Sequence, residues 1–552
     1  MPHIARNALA AVLTAVALTL ASADAGAQAV AEEPINWTSF LGSDAGTSYS
    51  ALDQINRENV GRLVPVWMYS MGAGIQNATP AVNDGVMYVI GTNDRVYAFD
   101  AATGRLKWTH GGGPADGYAR GSASVTVGGG MVYYGTRDNH LTALEPATGE
   151  EIWDVQIEDR KQCFCTPSHG ILLVRGKVIV GVRADNAHRG YINAFDAKTG
   201  RLVWRWWAVP GPGEPGHETW PEYLWKYGGG STWYAGSYDP KLNLIFWGTA
   251  NPQPIMGGTD PQAKLWTNSL VALDADTGKM KWGFQELPHD PFDYDSASEA
   301  MLIDAPVKGK IAPLVLQSVK SGYTYVLNRR TGALVSAYPH ADYITWNKGL
   351  DASGMPIEPL RITKDEAQFI CPSFYGSRAA NHGSYSPKTG LWYGSSTEFC
   401  SKLIGVDPPK LREGHGYNAA KDEGVEKSPR SAPFIAAFDP VSGQRRWVVR
   451  TDVPNISSLM TTGGNLVFGS DMFGEVWALD AETGNKLWSF NVGAQSANSA
   501  MSYSVGGKQY IAVALGGGGA YPMRIKELWP DAARRMSPGG DLLIVFALHG
   551  EN

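Results

Sequence analysis

Residues 289–295 read HDPFDYD, three aspartates in seven positions with aromatic residues between them. Carboxylates gathered in this way offer hard oxygen donors to a highly charged cation and leave a base beside it. In an extended segment, residues two apart face the same side, so Asp293 and Asp295 can converge on one ion. The competing reading is a solvated turn, because Asp, Pro and His are ordinary loop residues. The elements that carry the stretch decide between the two.

Those elements repeat. The phrase runs AFDAATGRLKW (98–108), ALEPATGEEIW (143–153), AFDAKTGRLVW (194–204), ALDADTGKMKW (272–282), AFDPVSGQRRW (437–447) and ALDAETGNKLW (478–488). VLNRRTGALVS (326–336) is a copy without the Trp. A short apolar strand ends at Asp or Glu, and xxTG makes a tight turn in which Gly takes positive φ. A returning strand then carries the Trp. One hairpin cannot bury its own aromatic face, but sheets stacked side by side place each Trp between neighbours, with a small Ala opposite. Radial closure protects the edges, which predicts an all-β fold, a β-propeller with Trp-docking repeats. An open solenoid is the alternative, and it would need polar caps. Long Gly/Pro-rich insertions at 209–233 and 408–430 belong to one face, and no low-complexity linker divides the chain. Residues 30–552 therefore read as a single propeller domain.

The 552-residue chain has a net charge of −6 and 18% charged residues, with no basic footprint for nucleic acid. Residues 1–29 have the form of a signal peptide: His3 and Arg6 precede the apolar ALAAVLTAVALTLASA, and AGA or AQA offers a cleavage site. The mature chain then starts near Gln28 or Val30 in an oxidising compartment, with no membrane anchor, because the apolar run is short for a span. The four cysteines are Cys163, Cys165, Cys371 and Cys400, none in a Cys-x-x-Cys-His haem motif. Disulfides are the default for an exported chain, ahead of zinc ligation.

Together the xDxxTGxxxW repeats, GTANPQP (248–254) and HDPFDYD resemble the quinoprotein alcohol dehydrogenases of the methanol and ethanol dehydrogenase type. These are periplasmic eight-bladed propellers that use pyrroloquinoline quinone (PQQ) and a metal. The resemblance implies that Asp293 is the catalytic base, taking the substrate hydroxyl proton. It implies metal ligation by Asn251, Asp293 and Asp185, the last standing where the family usually has Glu, with Asn186 as the fallback. It makes Asp295 the mark of the lanthanide-dependent branch, and a trivalent ion compensates three clustered carboxylates better than calcium, the alternative. Arg120 and Lys320 match cofactor-contacting cations. Trp233 matches the aromatic floor under the quinone, and Ser231 and Ser168 are candidate hydrogen-bond donors. Cys371 and Cys400 match a family disulfide.

The pattern also breaks. The family's two adjacent cysteines before Arg120 are replaced by Pro114 and Ala115, so that disulfide lid is absent. Cys163 and Cys165 either form a Cys-x-Cys bridge of their own or remain free thiols. Asn77 stands where a cofactor-contacting Glu is expected, and Ala379 and Ala380 replace larger residues at the quinone edge. Small residues there leave room for a substrate bulkier than methanol or ethanol: a sugar, polyol, polymer or polycyclic secondary alcohol. A chain without haem passes its electrons to a separate soluble cytochrome c, and a homodimer is compatible with the sequence. An NAD enzyme is disfavoured, as no Rossmann fingerprint opens a βαβ unit. The rival class is a non-catalytic propeller scaffold in envelope assembly.

Overall fold

The computed structural model describes residues 35–550 except 73–78, 92–93, 113–123, 185, 259, 379–380, 496–497, 517–519 and 538–539, and it leaves out the side chains of 520–522 and 541. The proposed signal peptide, Asn77, Pro114, Ala115, Arg120, Asp185, Ala379 and Ala380 lie outside the described residues.

Each repeat phrase folds as the third and fourth strands of an antiparallel sheet. Val96–Asp100 pairs with Leu106–His110, Tyr191–Asp196 with Leu202–Trp207, and Ser269–Asp274 with Met280–Gln285. The Asp at the end of the third strand makes the turn. Asp274 Oδ1 accepts from the amide of Thr277 at 3.0 Å and from its hydroxyl at 2.9 Å, and Gly278 follows at φ +70°. Ala272 lies opposite Trp282 and Ala98 opposite Trp108, as the pattern of small residues predicts.

The Trp then docks on the next sheet. Trp108 Nε1 donates to the carbonyl of Pro146 (2.9 Å), Trp153 to Ala197 (3.1 Å), Trp204 to Ala275 (3.3 Å) and Trp447 to Ala481 (3.0 Å). Every one of these acceptors immediately follows the turn Asp or Glu of the neighbouring copy. The turn Gly lets the indole lie flat against the backbone. A Cβ on Gly149 would sit 2.5 Å from the Trp108 ring, and one on Gly278 2.6 Å from Trp204. In the Trp-less copy, Tyr338 does this work: its hydroxyl donates to Pro440 O at 3.1 Å, and its ring covers Gly443.

Among the described residues, eight sheets of this kind form the ring, one of them with the short strand Tyr49–Ser50 added in parallel. Seven follow chain order; the eighth joins Leu63–Gly72 near the N-terminus to Asp541–Leu548 near the C-terminus, with Leu63 opposite Leu548. That pairing closes a β-propeller, so neither flanking sheet is left with an open side. First strands such as Ser237–Asp239 are wholly buried, and fourth strands such as Leu106–His110 are largely exposed, so the first strands line the axis. No helix among the described residues is long and apolar enough to cross a membrane.

Replacing Gly149 by Ala combines a positive-φ residue (+76°) with a clash against Trp108. The expected cost is about 2–4 kcal/mol, from backbone strain and overpacking together. Urea unfolding measures it, and a loss below about 1 kcal/mol contradicts the docking account.

Candidate active site

Antiparallel strand order sends two connections per sheet to the end opposite the DxxTG turns: second strand to third, and fourth strand to the next first. The candidate residues sit on these connections. Asn251 follows Leu244–Gly248, Lys320 follows Lys310–Ser318, and Asp293 and Asp295 lie between Met280–Gln285 and Ala300–Val307. Ser231 and Trp233 precede Ser237–Asp239. Residues up to about ninety positions apart in sequence thereby share one mouth of the ring.

Asp293 and Asp295 do converge. Lys320 Nζ lies 3.3 Å from Asp293 Oδ2 and 3.1 Å from Asp295 Oδ2. The backbone reason differs from the extended segment expected from the sequence: Asp293 has φ +65°, in the left-handed region. A turn, rather than strand alternation, aims the two carboxylates together. Asp290 holds that turn. Its carboxylate accepts from the amides of Phe292 (2.8 Å) and Tyr294 (2.6 Å) and from Asn268 Nδ2 (3.0 Å). Phe292 and Tyr294 pack on Trp346 below, with ring centroids 5.6 Å away in both cases.

Asn251 completes the cluster. Its backbone amide donates to Asp295 Oδ1 at 3.1 Å. Its Nδ2 donates to the carbonyls of Pro252 and Ile255, at 3.0 and 3.2 Å. With both amide hydrogens held there, the side-chain oxygen is the atom left to ligate. The donor set is hard oxygen throughout, which fits calcium or a lanthanide rather than a soft metal.

Electrostatics set the roles apart. Burial pushes the Asp293 carboxyl well above the usual range; Lys320 opposes this, while Asp295 and Asp290 reinforce it. Burial likewise pushes Asp290 up to about 6, against the donors that favour its charged form. A carboxyl with raised proton affinity, beside a fixed ammonium, is suited to taking a proton from a hydroxyl.

The serines serve the backbone instead. Ser231 Oγ donates to Val182 O (2.8 Å) and accepts from the Ala184 amide (3.1 Å). Ser168, fully buried, donates to Gly170 O (2.9 Å) and accepts from the Gly181 amide (3.0 Å). Their hydroxyls tie neighbouring connections together in this structure. The Ser231 bond anchors the residue just before Asp185. Trp233 is partly buried, and its ring contacts, to His169 and Tyr234, are edge-type with interplanar angles of 70° and 88°. Cys371 and Cys400 are bridged, and so are Cys163 and Cys165.

Asp290 has no role in the sequence reading, although it belongs to the same motif. The signal available was its spacing, two and four residues before the amides it accepts. Replacing it with Ala leaves two buried amides without acceptors, so we expect a loss of about 2–4 kcal/mol in urea unfolding. The Asn variant, which keeps one oxygen, should lose less.

A propeller with hard oxygen donors gathered at one mouth is suited to cation-assisted chemistry, and comparison with known proteins shows the family. Residues 37–338 and 435–511 match the PQQ family described as glucose/ethanol/alcohol dehydrogenase, β-propeller domain. The quinoprotein alcohol dehydrogenase PedH of Pseudomonas putida is 34% identical over 517 residues, covering 87% of this chain and 85% of that protein. The lanthanide-dependent methanol dehydrogenase of Methylacidiphilum fumariolicum is 32% identical over 575 residues, covering 96% and 92%. Among solved structures, a europium-containing methanol dehydrogenase superposes with a TM-score of 0.87 at 29% identity, over 94% of this chain and 99% of that one. The quinohemoprotein alcohol dehydrogenase from Comamonas testosteroni gives 0.82 at 33%, over 94% and 81%. The chain belongs to the PQQ-dependent alcohol dehydrogenase family, and it is an enzyme rather than a scaffold.

Proposed function

We propose that this chain oxidises a bulky alcohol to an aldehyde or ketone in the periplasm, with Asp293 as the base and a lanthanide ion held by Asp185, Asn251, Asp293 and Asp295. When bound, PQQ supplies the two-electron acceptor that no side chain can provide. The chain's own part is to orient the hydroxyl, take its proton at the Asp293 carboxylate and keep a cation beside the acceptor. Lys320 lies within reach of both carboxylates and stabilises negative charge developing at that point. Arg120, Trp233 and Asn77 are proposed to contact the cofactor, and a separate soluble cytochrome c to take the electrons.

The observation that carries this reading is the convergence of Asp293 and Asp295 on one point at Lys320, 3.3 and 3.1 Å away. For the metal, the two carboxylates that meet at Lys320, with Asp185 proposed as the third, favour a trivalent ion, and two of the similar proteins are described by their lanthanide. Adding PQQ with La³⁺ or Ca²⁺ to the purified protein, and following dye reduction over an alcohol size series, tests the proposal. Asp295→Ala should lower La³⁺-supported turnover at least tenfold more than Ca²⁺-supported turnover. Equal loss with both ions makes Asp295 a structural residue, and a clear preference for methanol removes the bulky-substrate assignment.

A further inference from the structure

A second cluster of metal-binding residues shares no residue with the acidic mouth and lies on connections at the same end of the ring. The segment after Glu151–Gln156 carries Glu158, then a short turn bearing Cys163 and Cys165, which leads into Thr166–Pro167. Thr166 and Pro167 pair with Arg183 and Val182, and the chain returns through His188. One ligand atom each from Glu158, Cys165 and His188 falls within 4.8 Å of the others. His188 is 3% exposed and Cys165 fully buried.

Four polar atoms in this pocket make no hydrogen bond. Glu158 Oε2, His188 Nε2, the Tyr191 hydroxyl and Asn139 Oδ1 are all buried without a hydrogen bond. His188 Nε2 faces Glu158 Oε2 at 3.6 Å. That is too long for a hydrogen bond but close to the edge of about 3.3–3.5 Å between nitrogen and oxygen ligands of a tetrahedral zinc ion. The other ring nitrogen, Nδ1, lies 3.9 Å from Glu413 Oε1. Asn139 Nδ2 donates to Cys165 Sγ at 3.3 Å, a contact that favours a thiolate.

With Cys165 bridged to Cys163, only two good ligands face one another. We propose that Glu158, His188 and Cys165 form a second metal site, for a divalent ion of intermediate softness such as Zn²⁺, which is completed when the Cys163–Cys165 bridge opens. A small dithiol is the class of reductant required. It gives two electrons and two protons, the S–S bond breaks, two cysteine thiols form, and the dithiol leaves as its own disulfide. On metal binding the Cys165 thiol loses its proton to solvent, and the sulfur electron pair goes to the ion. Phe164, between the cysteines, is 40% exposed, so the bridge lies directly beneath the surface.

Cys163→Ser tests the site without any reductant, because it frees Cys165 and leaves Cys371–Cys400 bridged. Titration of the full mature protein with Co²⁺ should give a near-ultraviolet thiolate-to-cobalt absorption at one ion per chain. The oxygen-only acidic mouth cannot produce that band. Oxidised wild type should lack it and dithiol-treated wild type should gain it. His188→Ala should weaken Co²⁺ binding at least tenfold in both the Cys163→Ser and the reduced wild-type background. If Cys163→Ser does not fold, the reduced wild type and its His188→Ala variant carry the comparison. No band in the reduced protein, or a band indifferent to His188, overturns the proposal.

Discussion

Asp293→Asn should give a folded protein whose kcat falls by about 10²–10⁴, the range supplied by a positioned general base. The amide has nearly the shape of the carboxylate and still offers an oxygen to a cation, so metal affinity should fall far less than turnover. What disappears is the capacity to take a proton. Stability should stay constant or rise. Burial and the charges of Asp295 and Asp290 push the Asp293 carboxyl well above its usual range, and Lys320 only partly opposes them. Removing that charge relieves repulsion in a crowded mouth. Steady-state dye reduction gives kcat, and thermal unfolding of the same preparation gives Tm. A variant that keeps more than about a tenth of the wild-type kcat would show that the proton goes elsewhere, because a base effect is at least 10²-fold.

The second large effect lies under the mouth. Arg378 and Glu299 form an ion pair with Nη2 2.6 Å from Oε1, and both side chains are 1% exposed. Glu299 Oε1 also accepts from the Gly383 amide (2.8 Å), and Arg378 Nη2 donates to Asn381 O (2.6 Å). The pair fastens the residue before the strand Ala300–Val307 to the segment before Ser384–Ser386, one sheet further round the ring. Arg378→Met leaves a buried carboxylate without its counter-charge, and the expected loss is about 3–5 kcal/mol. The double variant Glu299→Gln with Arg378→Met removes both charges and should recover a large part of that loss. Urea unfolding of the wild type, the single variants Arg378→Met and Glu299→Gln, and the double variant measures the coupling. Simple additivity of the two single losses would mean that the pair is not a unit.

Much of the ring was legible in the sequence because its determinants are local and repeated. The turn Asp, the positive-φ Gly, the small Ala and the Trp stand at fixed offsets within each eleven-residue phrase, and every copy reports the same hairpin. The Trp-less copy at 326–336 was legible only as a gap; its substitute, Tyr338, comes two residues beyond the phrase and was recognisable only from its place over Gly443. The mouth was legible in part. Carboxylate density singled out HDPFDYD, and resemblance assigned Asn251 and Lys320, but the expected extended geometry was wrong. Asp290, by accepting two amides of its own turn, bends the segment so that Asp293 takes a left-handed conformation.

The sequence by itself determined the repeat, the closure of a propeller and, by resemblance, the disulfide Cys371–Cys400 and the motif proposed to carry the chemistry. Tertiary structure alone decided which polar groups face one another. Ser168 and Ser231 turned to the backbone, Cys163 and Cys165 bridged beside His188, and Arg378 found Glu299 at a distance of seventy-nine residues. The physical reason is one of range. Turn and strand preferences act over a few neighbouring residues, whereas a buried hydrogen or charge takes whatever partner the closed ring brings within about 3 Å.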